Sequence, residues 1–177
     1  MSNIFIRHGE VENPKDIYYV DVPGYKLSNK GKKQAEETGE YLRSHNFNYE
    51  IISSPLLRAR QTAEIISKVI SVNINFDDSL YEWMGPISWR GLRFDEIELS
   101  SIPKVAEEYT DVFKRVSKID NQHEKKIFVS HQDTIRSFTY FAIADEKEDF
   151  TNDKPSHCEV QQIDKKKNKI VKLFKPS

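Results

Sequence analysis

The chain has 177 residues, enough for one domain with a sizeable core, and 31% of them are charged. The 27 Lys and Arg nearly cancel the 28 Asp and Glu, so the net charge of -1 gives no broad field for nucleic acid or an anionic membrane. No apolar run approaches the roughly 18 residues of a membrane span, the start lacks a signal-peptide layout, and Cys158 is the only cysteine. We therefore expect one cytoplasmic domain (1–177) with neither nucleic acid nor membrane as a partner.

The first half of the chain alternates short apolar runs with helical patterns. The apolar runs predict strands at residues 3–7, 49–53 and 73–76. A polar loop over 10–27 leads to Ser28, which predicts the N-cap of a first helix. Ser54 and Pro55 predict the N-cap and first turn of a second helix that runs to Ile70. The predicted core faces are Ala35, Thr38, Leu42 and His45 on the first helix, and Ala59, Thr62, Ala63, Ile66 and Ile70 on the second.

The second half begins with an irregular loop over 77–91 that contains both tryptophans. A helix pattern follows, carried by Ile102, Val105, Tyr109, Val112, Val116 and Ile119. Residues 126–130 predict a strand before a helix with Ile135, Phe138 and Phe141 on its apolar face, and 160–163 and 170–174 predict a closing hairpin. This alternation predicts an α/β fold: a single domain of three layers, with a mainly parallel central sheet flanked by helices, and a C-terminal hairpin.

Two histidines stand where predicted strands end. His8 follows the strand at 3–7, and His131 follows the strand at 126–130. In parallel sheets, ligands bind beyond the carboxyl ends of the strands. Arg7 lies beside His8, and Arg58 lies at the start of the second predicted helix, so two guanidinium groups that pair with phosphate oxygens fall near the same edge. The pattern predicts a receptor for a phosphoryl group.

Five segments carry a resemblance to a known family. They are Arg7-His8-Gly9-Glu10, Leu27-Ser28 with Gly31 and Gln34-Ala35, the run 53–63, Leu80-Tyr81-Glu82 with Gly85 and Trp89-x-Gly91, and Val129-Ser130-His131. In this order they resemble the histidine phosphatase superfamily, in its phosphoglycerate-mutase-like branch, over almost the whole chain. The chain departs from the family pattern at Val11, Asn13 and Pro14, and it has Gln132 where many members have glycine.

The resemblance implies a role for each candidate residue. His8 attacks phosphorus and becomes phosphohistidine, while Arg7, Arg58 and His131 hold the phosphoryl oxygens. Glu82 protonates the leaving oxygen, and neither a metal nor a cofactor is needed. These roles make physical sense, because a neutral imidazole is a nucleophile near pH 7 and phosphoryl transfer depends mainly on positioning and charge stabilisation.

The sequence leaves the roles of several candidate site residues open. Asp77, Asp78 and Glu96 compete with Glu82 for the role of acid, and His157, Gln132 and Asn13 are further candidates for the site. Side chains that can contact the rest of a substrate are Tyr18, Tyr19, Tyr25, Lys26, Arg90 and Arg93.

We expect a metal-independent phosphomonoesterase for a small phosphorylated metabolite. The alternatives are a phosphoglycerate mutase, a phosphoprotein phosphatase and an inactive phosphate-binding module. The short segment 91–126 and the end of the chain at Ser177 favour a phosphatase over a mutase, because a mutase needs a lid that shields its phosphohistidine from water.

Overall fold

The computed structural model describes residues 2–19, 22–98, 107–143, 154–164 and 166–177. The strands are β1 (Ile4–Arg7), β2 (Ile51–Ser53), β3 (Ile74–Phe76), β4 (Ile127–Ser130), β5 (Val160–Asp164) and β6 (Lys169–Phe174). The helices are α1 (Asn29–Ser44), α2 (Leu57–Ile70), α3 (Tyr109–Gln122) and α4 (Gln132–Ala142). Short 3₁₀ turns at Asp78–Leu80, Ile87–Trp89 and Phe94–Glu96 lie between β3 and α3.

The strands form one sheet in the order β3-β2-β4-β1-β5-β6. Strand β4 pairs in parallel with both β1 and β2, and Ile127 lies opposite Ile4 on one side and Ile51 on the other. The hairpin β5-β6 joins the same sheet, because β5 runs antiparallel to β1. The predicted mainly parallel sheet with a C-terminal hairpin is confirmed.

Alternate residues of the central strands face two separate cores. Ile4 and Ile6 pack in a core with residues of α1 and α2, whereas Phe5 and Phe128 pack with residues of α3 and α4. Because both faces of the sheet are covered, the central strands are apolar at successive positions. The three layers follow from this pattern, as the sequence predicted.

The helical patterns gave most of the buried faces correctly. All five predicted core residues of α2 are buried, and so are Ala35, Thr38 and Leu42 of α1. The prediction is wrong for His45, which is the exposed C-cap residue of α1. None of the helices in the described ranges has the length and apolar character needed to cross a membrane.

The later helices agree less completely with their patterns. Val112, Val116 and Ile119 of α3 are buried, but Ile102 and Val105 lie outside the described residues. In α4, Ile135 and Phe138 are buried, whereas Phe141 is 38% exposed.

The two predicted N-caps have different outcomes. Ser28 caps α1, since its side chain accepts a hydrogen bond from the backbone N–H of Gly31 at 3.0 Å. The prediction for Ser54 is wrong, because α2 begins after Leu56 and Ser54 Oγ lies 2.7 Å from Nε2 of His131 instead. The hydroxyl oxygen keeps only a long hydrogen bond near the helix start, which it accepts from the backbone N–H of Leu56 at 3.4 Å.

The first turn of α1 packs directly against the chain that follows β1. A Cβ atom on Gly31 would lie 2.0 Å from the carbonyl oxygen of Glu10, which is backbone and cannot swing away. We expect Gly31→Ala to lower the free energy of unfolding by about 1–3 kcal/mol through this clash. Helix propensity alone predicts the opposite sign, a gain of up to about 1 kcal/mol.

Urea unfolding followed by circular dichroism measures the difference. Lys32→Ala is the matched control, because Lys32 is the next residue of the same helix and is exposed. Equal or greater stability of Gly31→Ala would show that the two segments do not pack as described.

Candidate active site

The site forms where β1 and β4 end side by side. Arg7 and Ser130 are paired in register, and the backbone N–H of His8 donates to the carbonyl of Ser130 at 2.9 Å. His131 is the N-cap residue of α4. The rings of His8 and His131 therefore come together, with 5.2 Å between their centroids, and both residues are buried.

The hydrogen bonds of His8 fix which ring nitrogen is unprotonated. Its Nδ1 lies 2.7 Å from the carbonyl oxygen of Gly9. A carbonyl can only accept, so Nδ1 carries the hydrogen. In the neutral ring, Nε2 then presents a lone pair, and it accepts from Nε of Arg58 at 3.2 Å.

Burial keeps His8 neutral. Removal from water lowers the pKa of the imidazole well below 6.5, and the nearby positive charges of Arg58 and Arg7 lower it further. The ring is thus an uncharged base at neutral pH, with its lone pair facing a guanidinium group. This is the state that a nitrogen nucleophile requires.

Arg58 is held from several sides. It lies in the first turn of α2 and is only 1% exposed. The hydroxyl of Thr62 donates to the backbone carbonyl of Arg58 at 2.8 Å and accepts from the backbone N–H of Gly9 at 3.0 Å, so this hydroxyl links α2 to the chain at His8. The guanidinium also lies over the ring of Tyr19, 5.2 Å from its centroid, and Tyr25 stacks on Tyr19.

Two buried nitrogen atoms at this edge have no hydrogen-bond partner in the part of the chain that the structure describes. Nη1 of Arg7 donates to Oε1 of Gln132 at 2.8 Å and to the carbonyl of Pro155 at 2.9 Å, but its Nε has no partner among the described residues. Nδ1 of His131 is also unpaired there, while its Nε2 contacts Ser54. Buried donors without partners carry a free-energy cost, which an oxyanion in the site would remove.

Glu82 is a buried carboxyl group in the same site. Its Oε1 accepts from the backbone N–H of Trp83 at 2.8 Å and of Thr134 at 3.1 Å, and no described residue donates to Oε2. Burial, and then the negative charge of Asp133, raise the pKa of Glu82 to about 7. Glu82 can therefore hold a proton near neutral pH, with Oε2 as the oxygen that carries it.

Arg7, His8, Arg58 and Glu82 line one cavity of about 280 Å³, whereas His131 is not among its lining residues. Its walls are Arg7, His8, Tyr18, Tyr19, Arg58, Glu82, Phe94, Gln132 and Asp133. A nucleophilic nitrogen, two guanidinium groups and a protonated carboxyl group thus converge on one space. That combination is suited to binding a phosphoryl group and transferring it.

The competing acids lie elsewhere. Asp77 caps a 3₁₀ turn by accepting from the backbone N–H of Ser79, and Glu96 accepts from that of Arg93. Neither these two residues nor Asp78 is among the residues that line the cavity. The geometry favours Glu82 as the acid.

Of the further candidates, only Gln132 lines the cavity, whereas His157 and Asn13 do not. The ring of His157 lies 5.7 Å from that of His8, and burial together with Arg7 lowers its pKa to about 3. Gln132 lines the cavity, but the side chain of Asn13 bonds to the backbone of Ile17 instead.

Among the side chains suggested for the rest of a substrate, two line the cavity. They are Tyr18 and Tyr19, whereas Lys26 pairs with Glu12, and Arg93 pairs with Asp95.

Sequence reasoning missed three residues of the site. Ser54 follows the end of β2, so the strand-end rule that singled out His8 and His131 also applies to it. Asp133 lines the cavity and Thr134 holds Glu82, but the chain signals nothing about either, because both depend on where α4 meets the loop after β3.

We expect Arg58→Ala to weaken the binding of inorganic phosphate by about 10- to 100-fold, since it removes a charged donor from a buried site. Arg60→Ala is the matched control, because Arg60 lies on the same helix over the exposed ring of Phe76. Isothermal titration calorimetry measures both affinities, and melting curves check folding. Equal loss in the two variants would mean that Arg58 is not a phosphate ligand.

Comparisons with known proteins agree with this geometry. A family model described as the histidine phosphatase superfamily (branch 1) matches residues 3–174. A protein of Mycobacterium tuberculosis, Rv0525, is 29% identical over 149 residues, which are 72% of this chain and 71% of that protein. Sedoheptulose 1,7-bisphosphatase of Saccharomyces cerevisiae is 34% identical over 93 residues, 45% of this chain and 34% of that protein.

A solved structure shares the fold. The phosphoserine phosphatase of Entamoeba histolytica, in complex with 3-phosphoglyceric acid, superposes with a TM-score of 0.78 at 20% identity, over 99% of this chain and 96% of that one. The names of these relatives agree with the predicted class of enzyme, a phosphoric monoester hydrolase. Because the family model spans nearly the whole chain, the protein belongs to branch 1 of the histidine phosphatase superfamily.

Proposed function

We propose that this protein hydrolyses a small phosphorylated metabolite through a phosphohistidine at His8, without a metal ion. The observation that carries the proposal is the lone pair on Nε2 of His8, which faces Arg58 in a cavity that also contains Arg7 and Glu82. Two guanidinium groups supply the positive charge that a phosphoryl group needs. Relatives whose names refer to small phosphorylated compounds support the class of substrate.

In the first step, the phosphoryl oxygens bind Arg7, Arg58 and His131. Nε2 of His8 attacks phosphorus, the bond from phosphorus to the ester oxygen breaks, and Glu82 gives its proton to the departing alcohol. The imidazole becomes positively charged as it is phosphorylated. The hydrogen bond from Nδ1 to the Gly9 carbonyl becomes stronger at that moment and stabilises the intermediate.

In the second step, the Glu82 carboxylate accepts a proton from water as the water oxygen attacks phosphorus. The bond from phosphorus to nitrogen breaks, inorganic phosphate leaves, and His8 returns to the neutral ring. Glu82 regains its proton, so the cycle is complete. The roles of acid and then base suit a carboxyl group whose pKa of about 7 lies near the working pH.

We expect His8→Ala to abolish turnover, and the wild-type protein to yield acid-labile, base-stable phosphate on His8 after a rapid quench. Peptide mapping of the quenched protein identifies the labelled residue, and all assays contain a chelator. His45→Ala is the control, because His45 is exposed and does not line the cavity. Label on another residue, or loss of activity on chelation, would contradict the proposal.

Glu82→Gln tests the general acid. We expect it to slow alkyl phosphates about 10²- to 10⁴-fold and to affect p-nitrophenyl phosphate much less, because a good leaving group departs without a proton. For alkyl substrates, kcat/KM of the wild type should fall as the pH rises through about 7, where Glu82 loses its proton. The pKa of His8 lies well below 6.5, so no loss is expected near pH 6.5 on the acid side.

The pH profile of Glu82→Gln provides the decisive comparison. The fall near pH 7 should be absent in this variant, which has no carboxyl group to titrate there. A fall that persists unchanged would assign the acid role to another group.

A mutase is separated from a phosphatase by its product. The assay contains 3-phosphoglycerate and a catalytic amount of 2,3-bisphosphoglycerate. We expect 2-phosphoglycerate to form more slowly than phosphate is released from the best monoester. A faster mutase reaction would overturn the hydrolase assignment.

A cytoplasmic location, and the lack of nucleic-acid and membrane partners, stay predictions.

A further inference from the structure

A second cavity lies beside the phosphate-binding one, and half of the residues that line it are aromatic. We propose that it binds the alcohol portion of the substrate and that this portion is apolar and contains an aromatic ring. The inference rests on the proposed function and names the class of phosphomonoester. The aromatic cavity has a volume of about 270 Å³ and is lined by Tyr18, Trp83, Trp89, Phe94, Ile97, Tyr109, Gln132, Asp133, Arg136 and Lys154.

The two cavities share a wall. Tyr18, Phe94, Gln132 and Asp133 line both of them. A phosphomonoester whose phosphoryl group lies between Arg7 and Arg58 therefore has its other end directed past these shared residues. Neither cavity alone reaches the roughly 300–1,000 Å³ typical of small-molecule sites, but together they do.

The aromatic walls support one another. The ring of Tyr18 meets Trp89 edge-to-face, with 5.6 Å between centroids, and Trp83 stacks on Tyr109 at 5.0 Å. Tyr18 also packs closely over Gly85, where a Cβ atom would lie 1.8 Å from its hydroxyl oxygen. A rigid aromatic wall is complementary to a flat apolar group and loses little entropy when one binds.

Two of the polar side chains at this wall, Asp133 and Gln132, have protein partners. Asp133 pairs with Arg136 at 2.6 Å, and Oε1 of Gln132 accepts from Arg7. A substrate with many hydroxyl groups would have to compete for these partners, whereas an aromatic ring needs none. Arg136 and Lys154 also line the cavity, so the apolar contact area comes from its aromatic side chains and Ile97.

Alkyl phosphates that differ only at the far end test the proposal. We expect kcat/KM for 3-phenylpropyl phosphate to exceed that for propyl phosphate by about 10- to 100-fold, the effect of burying one aromatic ring. Both leaving groups are primary alcohols of similar pKa, so the demand on Glu82 is the same. A ratio near one would overturn the inference while leaving the phosphatase proposal intact.

Phe94→Ala removes a shared wall. Phe94 is 47% exposed, so we expect the variant to fold and the 3-phenylpropyl to propyl ratio to fall about three- to tenfold. Ile87→Ala is the control, because Ile87 is 66% exposed, belongs to the same loop and lines neither cavity. If the 3-phenylpropyl to propyl ratio were the same in both variants, the aromatic ring of the substrate would not bind against Phe94.

A binding measurement separates failure of the inference from failure of the catalytic proposal. The non-hydrolysable 3-phenylpropylphosphonate should bind the wild type more tightly than propylphosphonate. It should also change the intrinsic tryptophan fluorescence, since the chain has 2 tryptophans and both line the aromatic cavity. If 3-phenylpropylphosphonate bound selectively but 3-phenylpropyl phosphate was not hydrolysed, the aromatic subsite would stand and the catalytic role of His8 would be rejected. Equal binding of the two phosphonates would reject the aromatic subsite.

Discussion

The parallel pairing of β4 with both β1 and β2 is the constraint on which the site depends. It brings the carboxyl ends of three strands to one edge, so His8, His131 and Ser54 lie together although they are far apart in the chain. The helices that follow β2 and β4 begin at the same edge, and they bring Arg58 and Gln132 toward Arg7 and His8. The chemistry therefore depends on sheet register as much as on residue identity.

Burial then separates the protonation states of neighbouring groups. Removal from water disfavours charge on both kinds of group, so it lowers the pKa of His8 and His131 and raises that of Glu82. Arg58 and Arg7 lower the pKa of both histidines further, whereas on Glu82 Asp133 reinforces the rise and Arg58 opposes it. One environment thus favours a neutral imidazole beside a carboxyl group that can hold its proton near pH 7.

Loop residues form the walls of the two cavities that the sheet edge does not provide. Tyr19 covers Arg58, and Tyr18 and Phe94 separate the phosphate-binding cavity from the aromatic one. These side chains come from two loops that meet where Ile17 pairs with Arg93. In our proposal, recognition of the alcohol portion therefore depends on loop residues, which vary more readily in sequence than the strands and helices that hold His8 and Arg58.

The sequence by itself determined the elements, the three layers and the order of the motifs, because hydrophobic period and strand-end position are local signals. It placed His8, Arg7, Arg58 and His131 at one edge for the same reason. It could not assign the Ser54 hydroxyl to His131 rather than to a helix cap, nor predict that Thr134 would hold Glu82. Those contacts join residues that are 77 and 52 positions apart, and only tertiary packing decides which partner a polar group meets.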